Sequence, residues 1–215
     1  MRRTLIPVLL AIFLLSMAPY AAAEPSNHPA NSMWIEPPSI VLTPQNASLG
    51  YKFNVTIWLN ISNIQFYSYS IGLKYNRTQL KATRAGFTQN FTAGHDTATA
   101  GPIIDTSYLG NGSVLATESC KGEDYIQGPK VGTLIWIEFQ VIAIPPQGQT
   151  LTSQIDITTC YPEDTWIMDY DLNKINLNGF NAEYTFIPEF SIVFILVMML
   201  LISMMAMLKA GKGKK

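Results

Sequence analysis

From Ser39 to Phe186, apolar and polar side chains alternate in short runs separated by turn residues. A period of two sends successive side chains to opposite faces of a strand. In the run 52–59, Phe53, Val55, Ile57 and Leu59 alternate with Lys52, Asn54, Thr56 and Trp58. In 66–75, Tyr67, Tyr69, Ile71, Leu73 and Tyr75 share a face, and Asn76-Arg77-Thr78 turns the chain into a strand at 80–84. The strongest run is 132–144. There Ile135, Ile137, Phe139 and Val141 face one way, Leu134, Trp136 and Glu138 face the other, and Pro145-Pro146-Gln147-Gly148 ends the strand. Shorter strands are predicted at 39–43, 114–119 and 151–159, and near 165–168, 174–178 and 181–186. Residues 86–112 read as a long Gly/Thr-rich loop with room for one short strand. Residues 24–38 hold Pro, Asn and Ser and read as a flexible lead-in. No helical period interrupts this pattern before Pro188. Eight to nine strands with turn signals between them predict an all-β sandwich over 39–186.

The two ends follow a different pattern. Arg2 and Arg3 precede an apolar stretch from Leu5 to Met17, and Ala21-Ala22-Ala23 follows. A basic start, a short apolar run and small residues at a cut describe a secretory signal peptide over 1–23. Phe190 to Leu208 carries no charge, and its polar residues are Ser191 and Ser203. At ~1.5 Å per residue such a run reaches roughly 28 Å, close to the hydrocarbon thickness of a bilayer. It is predicted as one transmembrane helix within an anchor at 187–208. Lys209, Lys212, Lys214 and Lys215 make 209–215 a basic tail. Positive flanks stay cytoplasmic, so the expected product is a single-pass plasma-membrane protein with residues 24–187 outside.

Composition narrows the picture. The formal net charge is −1 and charged residues make up 13% of the chain. That balance gives no electrostatic footprint for nucleic acid. The two cysteines, Cys120 and Cys160, are expected to form one disulfide in an exported domain. Asn-x-Ser/Thr occurs at Asn46, Asn54, Asn60, Asn76, Asn90 and Asn111. Composition alone would give roughly two such acceptors. All six precede residue 114, so glycans are expected on the first half of the domain and the second half is expected to be barer. His28 and His95 stand apart, and no second Cys or His pair completes a zinc site. Asp169-Tyr170-Asp171-Leu172-Asn173 starts like a calcium loop. Lys174 and Phe180 then stand where that loop needs glycine and an acid. Glu118, Glu123, Asp124, Glu163 and Asp164 lie near the cysteines and read as solvated loop acids rather than a glycosidase pair. No cofactor is expected and no catalytic site is found.

Two segments carry a family resemblance. Tyr69–Ala85, YSIGLKYNRTQLKATRA, is similar to the cohesin pattern of a strand ending in an LxYDPxxL turn. Leu73, Tyr75 and Leu80 match, and Asn76-Arg77 replaces the usual Asp-Pro. Gly132–Ile142, GTLIWIEFQVI, resembles the cohesin strand GxLxxIxFxV. The resemblance to the cohesin domains of cellulosome scaffoldins covers roughly 39–186. It implies a jelly-roll-like sandwich acting as a non-catalytic binding module, with a dockerin-like surface protein as partner. Related sandwiches bind carbohydrate, so a polysaccharide ligand stays open, as does a structural surface-layer role. Pro188-Glu189-Phe190, the apolar run and the lysines resemble a PEF-type archaeal sorting signal. Simple anchoring explains the same residues, since Pro188 suits a first helical position and Glu189 the positive end of the helix dipole. The binding face is expected on the sequon-free half, at Leu134, Trp136 and Glu138.

Overall fold

The alternation read above becomes strands because each run has one apolar face to bury, and two sheets supply the partner for each other's face. The computed structural model describes residues 28–105, 112–158, 162–188 and 200. Their strands are β1 (Ser32–Glu36), β2 (Ser39–Leu42), β3 (Lys52–Ile61), β4 (Gln65–Tyr75), β5 (Leu80–Phe87), β6 (Thr97–Ile104) and β7 (Ser113–Cys120). They continue as β8 (Ile126–Gln127), β9 (Lys130–Val141), β10 (Leu151–Asp156), β11 (Trp166–Asp169), β12 (Lys174–Ile175), β13 (Asn178–Phe180) and β14 (Ala182–Phe186). Among the described residues, one sheet has five strands in the order β13-β1-β3-β9-β5. The other has nine: β12-β11-β4-β10-β14-β2, with β7 and β8 also on β4 and β6 on β7.

The core lies between them. Val55, Ile57, Leu59 and Ile61 of β3 and Ile135, Ile137, Phe139 and Val141 of β9 meet Tyr69, Ile71 and Leu73 of β4, Val114 and Ala116 of β7, and Tyr184 of β14. Phe139 ties the sheets together. Tyr75 meets it edge-on at 5.0 Å, and Phe53 lies 5.8 Å from it and 5.9 Å from Tyr184. Burying each large side chain stabilises the fold by roughly 1.5–3 kcal/mol before entropy is charged against it.

Two local features differ from the sequence pattern. The lead-in expected over 24–38 contains β1, whose Met33, Trp34 and Ile35 are buried. Its run is too short to show a period, and its partners, antiparallel β3 and parallel β13, lie far along the chain. The second concerns β9. Ile57 pairs with Ile135 but Trp58 pairs with Thr133, so a bulge takes up Leu134. A bulge places an extra residue against one partner and breaks strict alternation. Leu134 and Ile135 are therefore both buried. The short strand for which the loop 86–112 had room is β6, eight residues long and paired with β7. The signal peptide, the tail and the helix expected at 190–208 fall outside the described residues, apart from Leu200. Among the described residues no helix is long and apolar enough to cross a membrane.

Candidate functional site: two unlike sheet faces

Each sheet turns its second face away from the core, and the two outer faces differ in chemistry. On the five-stranded sheet, β3 and β9 run side by side. Asn54 pairs with Glu138 and Thr56 with Trp136. Lys52 Nζ and Thr83 Oγ1 both donate to Glu138 Oε1, at 2.8 and 2.6 Å. The Lys52 hydrogen bond, then that of Thr83, holds the Glu138 carboxyl below its ordinary range. Trp136 lies across β5 above Gly86, where a Cβ would come within 2.8 Å of the indole Nε1. Trp58 stacks on Trp34 at 6.0 Å, and His28 and Phe180 close over the same corner, 4.5 Å apart. This face is thus charged, aromatic and hydrogen-bonded.

The outer face of the nine-stranded sheet is built from cross-strand rows. Residues directly opposite on antiparallel strands share a face. Tyr69, Ile71 and Leu73 point into the core, so Ser68, Ser70 and Gly72 point outward; Val114 and Ala116 likewise turn Leu115, Thr117 and Ser119 outward. Register then sets three rows: Ala98, Ser119, Ser68 and Met168; Ala100, Thr117, Ser70 and Trp166; Ile103, Leu115 and Gly72. None of these ten side chains ionises; charge begins at the ends of the face, with Lys174 of β12 opposite Met168 in the first row and Lys74 opposite Asp156 in the row beyond Gly72. Thr117 Oγ1 donates to Ser70 Oγ at 3.1 Å, and Thr165 Oγ1 donates to the Gly72 carbonyl at 2.8 Å. Lys174 sits 5.8 Å from the Trp166 ring at the border. Gly101 allows the β6 edge to close on this face. Its φ is 91°, and a Cβ there would lie 2.6 Å from the Leu115 carbonyl oxygen. The result is a face uncharged at its middle, where Ser68, Ser70 and Gly72 are buried between their neighbours, with the half-buried Trp166 and Met168 at one margin and the exposed Ile103 at the other.

A polar node sits on the opposite side of β7, inside the sandwich. Glu118 is buried and accepts from Tyr69 OH at 2.7 Å, Thr97 Oγ1 at 2.8 Å and Thr92 Oγ1 at 3.0 Å. It is therefore not the solvated loop acid that the sequence suggests. Asp124 does lie at the surface, held by His95 Nδ1 at 2.9 Å and the Asp96 amide at 2.9 Å. Those bonds, the His95 one first, lower its carboxyl below the usual range. Among the described residues no cluster of three or more His, Cys, Asp or Glu forms a metal site.

The expected site residues divide. Trp136 and Glu138 reach an outer face, but Leu134 does not, because the bulge turns it into the core. Nor is that face free of sequons, since Asn54 and Asn60 sit on the adjoining β3. Cys120 is buried at the end of β7; the expected bridge also needs Cys160. Cys160 itself, Asn111, Glu189 and Phe190 fall outside the described residues. Asn46 Oδ1 accepts from the Thr43 amide, Asn76 Oδ1 from the Thr78 amide and hydroxyl, and Asn90 Oδ1 from the Thr133 amide. The nine-stranded face escaped the sequence reading because its outward residues are small and uncharged. Only register places them in rows.

No protein-family model matches the chain, and no curated protein matches it. Solved structures do. A type I cohesin–dockerin complex from Clostridium thermocellum is 11% identical with a TM-score of 0.52, over 78% of this chain and 100% of that one. A second complex from that organism is 13% identical at 0.51, over 73% and 100%. The third ScaC cohesin of Acetivibrio cellulolyticus, solved with a dockerin, is 15% identical at 0.51, over 72% and 99%. At these identities the likeness is one of fold: this chain folds as a cohesin-like all-β sandwich.

Proposed function

We propose that the sandwich is a non-catalytic binding module that takes a dockerin-like protein partner on the outer face of its nine-stranded sheet. The observation that carries this reading is the set of three uncharged cross-strand rows, bordered by Trp166, Met168 and Ile103. Such a face loses little solvation when covered, and aromatic residues and methionine are favoured at interfaces. The similar cohesins solved with dockerins support the class of partner. The module is held outside the plasma membrane by the anchor at 187–208, with Lys209–Lys215 inside. The uncharged run and its lysine flank support that arrangement. Protease added to intact cells then removes the sandwich and spares the tail. A protected sandwich with an accessible tail reverses the orientation.

The test of the binding face is Thr117→Arg, measured by surface plasmon resonance against a panel of dockerin modules. A charge placed in the middle of a desolvated face costs about 2 kcal/mol or more, roughly a 30-fold loss of affinity. Unchanged affinity for a dockerin that binds the parent chain removes the site. A second reading, carbohydrate binding, is favoured by Trp58 and Trp136 on the other sheet, whose half-buried indoles offer apolar rings to a sugar. Loss of polysaccharide retention on Trp136→Ala, with Thr117→Arg silent, supports that reading instead.

A further inference from the structure

We infer that Asn54 carries an N-linked glycan whose first sugar lies in a groove between the two sheets, and that Asn60 carries none. This rests on the exported domain proposed above. β1 stops pairing with β3 at Glu36 opposite Thr56, then the chain crosses to the other sheet and becomes β2. Beyond that point no strand among the described residues pairs with β3 on this side, and a groove of about 280 Å³ opens between it and β2. Pro37, Ile40, Tyr51 and Phe53 give it apolar walls, and two sequon asparagines, Asn46 and Asn54, line it as well. Asn54 is exposed, and the hydroxyl-bearing Thr56 of its sequon is half-buried on the same face of the strand. The C–H faces of a pyranose pack on aromatic and apolar walls of this kind, as Tyr51 provides.

Asn60 has the same sequon and the opposite surroundings. Its Nδ2 donates to the His28 carbonyl at 2.9 Å and the Pro29 carbonyl at 3.2 Å. Those bonds hold the segment whose His28 ring lies 4.4 Å from Trp34, and whose Asn31 side chain accepts from the Ser62 amide at 2.9 Å. A sugar on Asn60 would remove one of the two N–H donors and occupy the space of residues 28–29. Glycan at Asn60 and this N-terminal packing therefore exclude each other.

The chemistry needs a donor, an isoprenoid-phosphate-linked oligosaccharide, and a membrane oligosaccharyltransferase. The Asn54 amide nitrogen forms a bond to the sugar C1 as the C1–O bond to phosphate breaks. The phosphate leaves with the electron pair, and the amide gives up one proton to base, with no change of oxidation state. The full chain, isolated from a host with this enzyme, is digested and its glycopeptides weighed. Sugar is expected on the Asn54 peptide, lost in Asn54→Gln and in Thr56→Ala, with the Asn60 peptide bare. Amides of 39–42 should exchange severalfold more slowly in the glycosylated chain than in Asn54→Gln. A bare Asn54 in a sandwich that external protease reaches overturns the inference alone. A bare Asn54 in a protected sandwich overturns it together with the exported location. Sugar on Asn60, or equal exchange of 39–42 in both chains, also overturns it.

Discussion

Tyr69 and Tyr184 are both fully buried, yet their hydroxyls differ in what they meet. Tyr69 donates to Glu118, whereas the Tyr184 hydroxyl has no partner among the described residues. Removing a hydroxyl that satisfies a buried acceptor costs more than removing one that satisfies nothing. Tyr69→Phe should therefore lose about 1–3 kcal/mol in urea unfolding, and Tyr184→Phe should be neutral or slightly stabilising. Equal losses would contradict the geometry. Burial pushes the Tyr184 phenol up to about 12, and burial, then the Asp124 and Glu118 carboxylates, pushes the Cys120 thiol from 9.0 to about 11. Both groups are neutral acids, so the unfolded chain releases these protons at lower pH than the folded one. Above pH about 9 the unfolded state binds fewer protons, and stability falls as pH rises from about 9 toward 12. The denaturation midpoint should drop across that window, and less so in Cys120→Ala. A thiol reagent near neutral pH should leave Cys120 unlabelled in the folded chain and label it once unfolded, without reductant. Labelling that requires prior reduction would establish the Cys120–Cys160 bridge.

At the scale of the element, β9 carries two features that period-two reading treats wrongly or leaves out. The bulge at Leu134 puts this residue in the core, so Leu134→Ala should cost about 2–5 kcal/mol; an outward leucine would cost almost nothing. Three residues on, alternation resumes, and Ile137, Phe139 and Val141 point inward as their spacing predicts. Trp136 then needs somewhere to lie, and Gly86 of β5 supplies the space. Gly86→Ala should force the indole off β5 at a cost of about 1–3 kcal/mol and shift tryptophan emission to the red. Unchanged emission would mean that the ring does not rest there. β1 shows the converse. Met33-Trp34-Ile35 has no period to read, and it is a strand because β3 and β13 flank it.

At the scale of the molecule, the sandwich separates two chemistries on opposite sides. The five-stranded face holds charges, indoles and the sequon residues Asn54 and Asn60; the nine-stranded face has three uncharged rows. A partner on the second face and a glycan beside the first do not compete for space. Thr117→Arg should thus weaken partner binding roughly 30-fold without changing glycan occupancy at Asn54, and Asn54→Gln should leave partner affinity unchanged. A drop in affinity with Asn54→Gln would place the partner on the five-stranded side.

The residues alone determined much of this protein. Alternation in 52–59, 66–75 and 132–144 specified three central strands and the inward set Val55, Ile57, Tyr69, Ile71, Ile137 and Phe139, because strand geometry ties side-chain direction to sequence parity. The turn at Asn76-Arg77-Thr78 and the run GTLIWIEFQVI carried the cohesin resemblance, and the fold agrees with it. Tertiary structure alone decided where a binding face could be. Parity assigns a residue to one side of its own strand, but register across strands decides which residues become neighbours. Ser70, Thr117, Ala100 and Trp166 are scattered over 96 positions between 70 and 166 and form one row only through two pairings with β7 and one with β11. The same pairing brought the sequon strand β3 against Trp136, and a single bulged residue took Leu134 out of the face that sequence parity had assigned to it.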